Sequence, residues 1–334
     1  MSKEFNQIIV HPDFEGTLKD LAKKVPKLPN PVLATYDFDE HLNSARTKLE
    51  VIGKIGTTKL NPDVGRDFFE KNTLYGYDES FVNFQALKGT AFLTSHSLIL
   101  VGEKYLPVNY ITLYFYTRSK LIKGDSNIIR YSENPELDNK INYYADRINL
   151  MEKFVKDNSI LLIDGPLIAG DAFVRFIPYI SAMNKKNICT AFFVKNSGGN
   201  IITDNIPEFK GVYNHDLHWA NEFLLTGERT NFFKYTDDYQ KENSRVFCFV
   251  KAFNASPQRV EFHTSTYEKF LPNMDKFLDM IYYLLLVQGN VYNPQIRPIA
   301  IAEKYARETL HLFDVQSLLK KSGIVPTMNQ VRFG

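Results

Sequence analysis

The sequence has few cysteines and no long apolar run, and both shortages limit what the protein can be. Its 334 residues contain two cysteines, Cys189 and Cys248, each within an apolar segment that is typical of a strand. Two isolated thiols build no disulfide framework and indicate a reducing compartment, so we expect a cytoplasmic protein. The longest uncharged apolar run, MIYYLLLV at 280–287, is too short to span a bilayer. The N-terminal segment MSKEFNQIIVHPDFEG lacks the apolar core of a signal peptide.

An excess of one charge sign is also missing. Forty Lys and Arg side chains oppose 38 Asp and Glu side chains, for a net charge of +2. The bulk charge therefore gives little support for binding to nucleic acid. If the protein handles DNA, its basic surface must be local or must come from a partner.

Several catalytic motifs are absent as well. The seven histidines show no HxxxH or HEXXH spacing, and no GxxxxGK[ST] phosphate loop or GxSxG elbow occurs. The glycines of KNSGGN at 195–200 fit a turn better than a phosphate site. The polar cluster of Asp37, Asp39, Glu40 and His41 also fits a turn better than a metal site. These absences leave carboxylates as the main candidates for chemistry.

Aromatic and β-branched residues are plentiful from Thr73 onwards, in short runs separated by turn-forming residues. Such runs predict strands, and consecutive strands with short connections favour an antiparallel meander. We predict four strands, in the segments TLYGYD, QALKGTAFLTS, SLILVGEKYL and YITLYFYTRS. Upstream, an N-terminal arm is expected to contain a short helix over residues 17–24.

Helices and strands alternate in the second half of the chain. The segment 136–158 has apolar residues in steps of three and four, which predicts an amphipathic helix. The continuous apolar run 160–163 that follows suits a strand covered on both faces. Further predictions are helices at 172–184, 267–287 and 298–321, and strands in CTAFFVK, RVFCFVKAF and RVEFHTS. Together these elements predict an α/β domain with a mixed sheet flanked by helices and with helical extensions at both ends.

Two aspartates follow apolar runs directly. Asp78 is predicted to end the strand LYGYD, and Asp164 is predicted to end ILLID. An acid in that position lies at the rim of the sheet, where ligands bind in α/β folds. Two carboxylates at one rim repel each other, and a divalent cation is the usual remedy. Each aspartate taken alone also fits an ordinary turn.

Two glutamates lie at the edge of apolar helix faces. Glu152 follows Ile148 by four residues, and Glu303 follows Ile299 by four, within a helix whose first turn would hold Pro298. An acid at a core-facing edge needs a cation or hydrogen bonds to offset its burial. The structural alternative is an i,i+4 ion pair, Glu152 with Lys156 and Glu303 with Arg307. Only the joint pattern of two aspartates and two glutamates favours catalysis.

At these residues the sequence resembles the NurA nuclease family, the partners of HerA ATPases in DNA end processing. The similarity covers the chain from about Thr73 to the C-terminus and rests on an ordered series of motifs. In chain order these are Asp78-Glu79-Ser80, a helix with Arg147 and Glu152, ILLIDGPL with Asp164, FFVKNS with Lys195 and Ser197, RVEF at 259–262, and VYNPQIRPIAIAEKYA with Tyr292 and Glu303. Glu79 departs from the family pattern, which usually has glycine at this position.

The resemblance implies an RNase H-like nuclease domain over residues 73–334, preceded by an arm and partner-contact region at 1–72. It implies a homodimer that cleaves DNA with Mn²⁺ or Mg²⁺ and docks on a HerA-type hexameric ATPase. Asp78, Glu152, Asp164 and Glu303 would hold two divalent cations, Lys195 would neutralise phosphate or developing charge, and Tyr292 would complete the catalytic set.

Two alternatives stay open from the sequence. One is a catalytically weakened NurA-like subunit that guides DNA on its ATPase. The other is a stand-alone nucleic-acid-binding module on an RNase H-like scaffold, in which some of the 19 Tyr and 26 Phe side chains stack on bases. Most of these aromatics belong to apolar strands, so core packing is their more ordinary role. A close approach of Asp78 and Asp164 would favour the nuclease.

Overall fold

A single twisted sheet organises the chain, as seen in a computed structural model. The structure describes residues 16, 19–20, 43–44, 47–102, 104–121, 129–168, 176–195, 198–237 and 240–325. Most of the predicted helix at 17–24, the acidic cluster at 37–41 and Ser197 lie outside these residues. Within the described ranges no helix has both the length and the apolarity needed to cross a membrane.

The sheet combines antiparallel and parallel strands, so the predicted mixed α/β architecture is confirmed. The order across it is β1-β2-β11-β12-β13-β9-β8-β4-β5-β6-β7, with β10 pairing to both β12 and β3. Parallel pairs join β4 to β8, β8 to β9 and β6 to β7. The strands are β1 (Asn43–Ser44), β2 (Thr47–Val51), β3 (Thr57–Lys59), β4 (Thr73–Ala86), β5 (Gly89–Val101), β6 (Leu106–Thr117), β7 (Ile129–Tyr131), β8 (Ser159–Asp164), β9 (Cys189–Val194), β10 (Glu228–Thr230), β11 (Phe233–Asp237), β12 (Ser244–Lys251) and β13 (Gln258–His263).

Helices cover both faces of this sheet. They are α1 (Pro62–Glu70), α2 (Pro135–Phe154), α3 (Ile177–Lys185), α4 (Asp216–Phe223), α5 (Thr264–Phe270), α6 (Met274–Gln288), α7 (Arg297–Leu310) and α8 (Val315–Lys321), with short 3₁₀ turns at Pro207–Phe209 and Leu271–Asn273. The predicted helices at 136–158, 172–184, 267–287 and 298–321 correspond to α2, α3, α5 with α6, and α7 with α8. Residues 172–175 of the second prediction lie outside the described residues.

Side-chain alternation along the strands divides the core into two layers. Leu74, Ile160, Leu162 and Val260 pack with residues of α6 and α7 on one face. We call this the α7 face. Tyr75, Tyr77, Leu161 and Ile163 pack with residues of α2 and α3 on the other. We call this the α2 face, and α4 extends it towards β12.

Both cysteines are buried and free, as predicted, and burial raises the pKa of both thiols.

Two predictions about the first strands are wrong. The segments QALKGTAFLTS and SLILVGEKYL do not form separate strands, because β5 runs from Gly89 to Val101 without a break. Ser95, His96 and Ser97, where the two predicted segments meet, are buried inside the strand. Asp78 does not end its strand either, because β4 keeps pairing with β5 as far as Ala86.

Strands β2 and β3 and helix α1 precede residue 73 and went unpredicted. β2 pairs with β11 and β3 pairs with β10, so residues 47–59 extend the same sheet. Leu60 and the partly buried Phe68 and Phe69 belong to the core of the α7 face. The division of the chain at residue 72 stays a prediction.

Candidate active site

Asp78 and Asp164 lie side by side on adjacent parallel strands. The last register pair between β4 and β8 is Tyr77 with Ile163, so the two aspartates follow at the next position. Because side chains alternate, both lie on the α7 face, and neighbouring strands are about 4.8 Å apart. β8 ends at Asp164, so the pair occupies the rim of the parallel part of the sheet even though β4 continues.

Asp78 is buried, and Asp164 is partly buried. Burial raises the pKa of Asp78, and the nearby carboxylates of Asp164 and Glu79 raise it further. Burial also raises the pKa of Asp164, against the lowering effect of the Lys195 ammonium. The Asp78 Oδ1 atom accepts a hydrogen bond from the Glu79 backbone N–H at 2.8 Å. The Asp164 Oδ1 atom is buried without a hydrogen-bond partner among the described residues.

Lys195 follows β9 and brings a positive charge to this rim. Its Nζ atom lies 3.1 Å from Asp164 Oδ2 and 3.5 Å from Glu303 Oε2. The three side chains are 24%, 22% and 31% exposed, so solvent reaches them only in part. The lysine that the resemblance placed in the catalytic set therefore bridges two of the predicted carboxylates.

Helix α7 carries Glu303 to the site because a glycine allows the helix to lie directly on β4. A Cβ atom at Gly76 would stand 2.6 Å from Pro298 Cβ and 2.8 Å from the Pro298 carbonyl oxygen. Any other residue would clash there, so glycine is required for this approach. Pro298 lies in the first turn of α7, as predicted, and Glu303 follows it by five residues.

Glu303 both forms the predicted ion pair with Arg307 and faces the other charged groups of the candidate site. Its Oε1 atom lies 2.5 Å from Arg307 Nη2, the predicted i,i+4 pair. Its Oε2 atom accepts a hydrogen bond from Gln295 Nε2 at 2.6 Å and also faces Lys195. Burial alone would raise the pKa of Glu303, but Gln295, Lys195 and Arg307 together lower it. Sequence reasoning missed Gln295, whose only signal is its position in the turn before Pro298.

Glu152 and Tyr292 lie apart from these groups. Glu152 is exposed on α2, which covers the opposite face of the sheet. Burial raises the pKa of Tyr179 on α3, and the Glu152 carboxylate raises it further. Tyr292 is 98% exposed in the turn before α7. Among the residues that the structure describes, no three His, Cys, Asp or Glu side chains are grouped to hold a metal ion. The metal role of Glu152 and the catalytic role of Tyr292 stay predictions.

The α2 face of the same rim contains a second charged cluster. Glu79 interacts electrostatically with Tyr77, Tyr143 and the buried Arg147. The Arg147 guanidinium carbon lies 4.8 Å from the Tyr77 ring centroid, and Tyr77 hydrogen-bonds to His96 at 2.7 Å. The resemblance includes Arg147, but nothing predicted its burial. A signal was present, because Arg147 follows Tyr144 by three residues and so belongs to the apolar stripe of α2.

Comparisons with solved structures find similarity at the level of the fold. The crystal structure of the NurA nuclease from Sulfolobus solfataricus matches with a TM-score of 0.50 and 11% sequence identity, over 93% of this chain and 95% of that one. A NurA structure with manganese has a TM-score of 0.41 and 9% identity, over 77% and 92% of the two chains. Endonuclease V of Ciona intestinalis, in complex with DNA, has a TM-score of 0.33 and 14% identity, over 72% and 87%. No protein-family model and no curated protein matches the sequence.

The fold is that of the NurA nuclease. The predicted RNase H-like fold class and the resemblance to NurA are therefore confirmed at the level of the fold. A divalent cation, which the resemblance implies, also fits the rim. The buried Asp164 Oδ1 atom has no hydrogen-bond partner among the described residues and is free to bind an ion, and hard carboxylate oxygens suit magnesium or manganese.

Proposed function

We propose that the protein is a divalent-metal-dependent DNA nuclease that hydrolyses phosphodiester bonds. The observation that carries this proposal is the pairing of Asp78 and Asp164 at one rim, with Asp164 Oδ1 buried and unpartnered. A divalent cation would offset the two adjacent carboxylates beyond the single charge that Lys195 already supplies to Asp164. The shared fold with the NurA nuclease supports the same reaction class.

The side chains at the rim divide the work. Asp78 and Asp164 would hold Mn²⁺ or Mg²⁺, which supplies charge to a phosphate oxygen and lowers the pKa of a water molecule. Lys195 Nζ would contact a phosphate oxygen and neutralise the charge that develops there. Glu303 would orient Lys195, because the carboxylate that pairs with the lysine is itself held by a hydrogen bond from Gln295.

The biological setting follows the family resemblance. The protein would act in the cytoplasm as a homodimer, processing DNA ends as an exonuclease with some single-strand endonuclease activity. A HerA-type hexameric ATPase would thread DNA towards the rim. The net charge of +2 supports the need for such a partner, because the chain alone has little bulk attraction for DNA.

A cleavage assay on end-labelled DNA tests the reaction, with manganese, magnesium or chelator added to the purified protein. Asp164→Asn keeps the shape of the side chain but removes the charge that holds the cation. Loss of several kcal/mol of stabilisation should lower the cleavage rate by a factor of about 100 or more, with the melting temperature largely unchanged. Asp157→Asn, at an exposed position beyond α2, serves as the matched control. Wild-type cleavage by Asp164→Asn in manganese would contradict the proposal.

The same assay separates the nuclease from a catalytically weakened, DNA-guiding subunit. That alternative draws support from Lys195, whose ion pairs already satisfy part of the carboxylate charge. A weakened subunit would not cleave in any metal but would still bind DNA and associate with its ATPase.

A further inference from the structure

A cation supplied by the protein itself already stands between two of the carboxylates. Lys195 Nζ is within 3.5 Å of an oxygen of both Asp164 and Glu303. We propose that the site binds one divalent cation rather than two, and that the Lys195 ammonium replaces the second. This inference rests on the proposed metal-dependent nuclease and concerns how many ions that site takes.

The charges near the rim favour a single ion. Asp78, Asp164 and Glu303 contribute three negative charges when ionised, and Lys195 and Arg307 offset two of them. One divalent cation would leave a net charge of +1, which a single phosphodiester neutralises. A second divalent cation would leave two further positive charges in a region that is only partly open to water, where like charges repel strongly.

The available oxygen atoms favour the same number. Both Glu303 oxygens have partners, Oε1 with Arg307 at 2.5 Å and Oε2 with Gln295 at 2.6 Å. Asp164 Oδ2 is engaged by Lys195, whereas Asp164 Oδ1 has no partner among the described residues. The free coordination capacity of Asp164 is therefore at Oδ1, the oxygen that Lys195 does not engage. Magnesium commonly binds through only one or two protein carboxylates, together with water and phosphate oxygens.

The backbone fixes Lys195 close to this position. The preceding residue, Val194, pairs with Arg259 of β13, and β9 also pairs with β8 through Asp164 and Phe193. Lys195 therefore directly follows a strand that pairs with a neighbouring strand on each side. A second divalent ion between Asp164 and Glu303 would have to displace a lysine whose side chain is 24% exposed and has two anionic partners.

Counting bound manganese tests this inference without any measurement of cleavage. Free Mn²⁺ gives an electron paramagnetic resonance signal that binding suppresses, and titration calorimetry gives the number of ions per chain. We expect one ion for the wild-type protein and two for Lys195→Gln at millimolar Mn²⁺. Lys195→Met is used in the same way if the glutamine variant does not fold.

Arg307→Gln is the matched control. It removes one positive charge from the same carboxylate, Glu303, but leaves the lysine between the two acids. We expect tighter binding of the first ion and still one ion per chain. Two ions in the wild-type protein, or one ion in the Lys195 variants, would overturn the inference. The absence of any bound manganese in the wild-type protein would instead overturn the proposed metal dependence.

Discussion

Two clusters, each with both positive and negative side chains, lie on opposite faces of the same short stretch of β4. On the α7 face, the buried Asp78 neighbours Asp164 and Lys195, whose side chains are about one-quarter exposed. On the α2 face, Glu79 shares its surroundings with Arg147, which is 5% exposed. Asp78 and Glu79 are consecutive, so the alternation of strand side chains alone separates these clusters.

The difference lies in whether the charges can exchange partners. Partly exposed groups such as Lys195 and Asp164 can release each other when a metal ion or a phosphate arrives, because water and the new partner replace the lost contact. Arg147 is almost inaccessible to water, so water cannot replace a lost partner. Its cation–π contacts with Tyr77 and Phe176 also hold it in place. The α7 face is therefore suited to binding and the α2 face to support.

Removing Arg147 should have the largest effect on stability. Arg147→Met keeps an apolar side chain of similar length but leaves the Glu79 carboxylate without its cation. A carboxylate left without a nearby positive charge costs up to about 3–5 kcal/mol when it is buried, and we expect about 3 because Glu79 is only partly buried and the cation–π contacts of Arg147 are lost as well. Urea unfolding at neutral pH measures the change in free energy.

Two controls sharpen that measurement. Adding Glu79→Gln to Arg147→Met should recover part of the loss, because no unpaired carboxylate is then left behind. Lys153→Met alters an exposed cation on the same helix and should change stability by less than about 0.5 kcal/mol. A small effect of Arg147→Met would mean that the two faces do not differ as argued.

Gly76→Ala should damage the α7 face specifically. The added Cβ would lie 2.6 Å from Pro298 Cβ, so α7 must shift and move Glu303 away from Lys195. Overpacking of this kind lowers the free energy of unfolding by about 1–3 kcal/mol. The cleavage rate of the folded variant should also fall, by more than this loss of stability explains. Gly102→Ala is the control, since its nearest atom would be 3.7 Å away. Equal cleavage by both variants would show that the close approach of α7 is not needed.

The sequence contained the elements of the site more clearly than their arrangement. A continuous apolar run placed Asp164 at the end of β8, and helical spacing gave α2 and the Pro298 start of α7. Strand ends depend on partners elsewhere in the chain. β4 continues past Asp78 because β5 pairs with it, and no local pattern shows that. Strands β2, β3, β10 and β11 are short and form by pairing across long separations, which periodicity cannot reveal.

Acid should weaken the protein through His96 on the α2 face. Burial lowers the pKa of His96 to about 3, with the positive charge of Arg147 as a further cause. In the unfolded chain the pKa is about 6.5, so between these values the unfolded state binds a proton that the folded state does not. Stability therefore falls as pH drops from about 6.5, by at most about 2 kcal/mol at pH 5. His96→Gln should remove this part of the pH dependence in urea unfolding. An unchanged dependence would mean that His96 does not remain neutral in the folded protein.

Arg307→Ala should have the smallest effect. It tests whether the partly exposed charges on the α7 face can exchange partners at little cost. Arg307 is 64% exposed and pairs with Glu303 four residues earlier on α7. Such a pair contributes about 0.3–0.5 kcal/mol, and Glu303 keeps its contacts with Gln295 and Lys195. The melting temperature and the cleavage rate should therefore stay close to those of the wild-type protein. Glu303→Gln should instead lower cleavage, because it removes the anion that holds Lys195 beside Asp164. If Arg307→Ala destabilised the protein as much as Arg147→Met, partial exposure would not distinguish the two clusters, and the contrast between binding and support would fail.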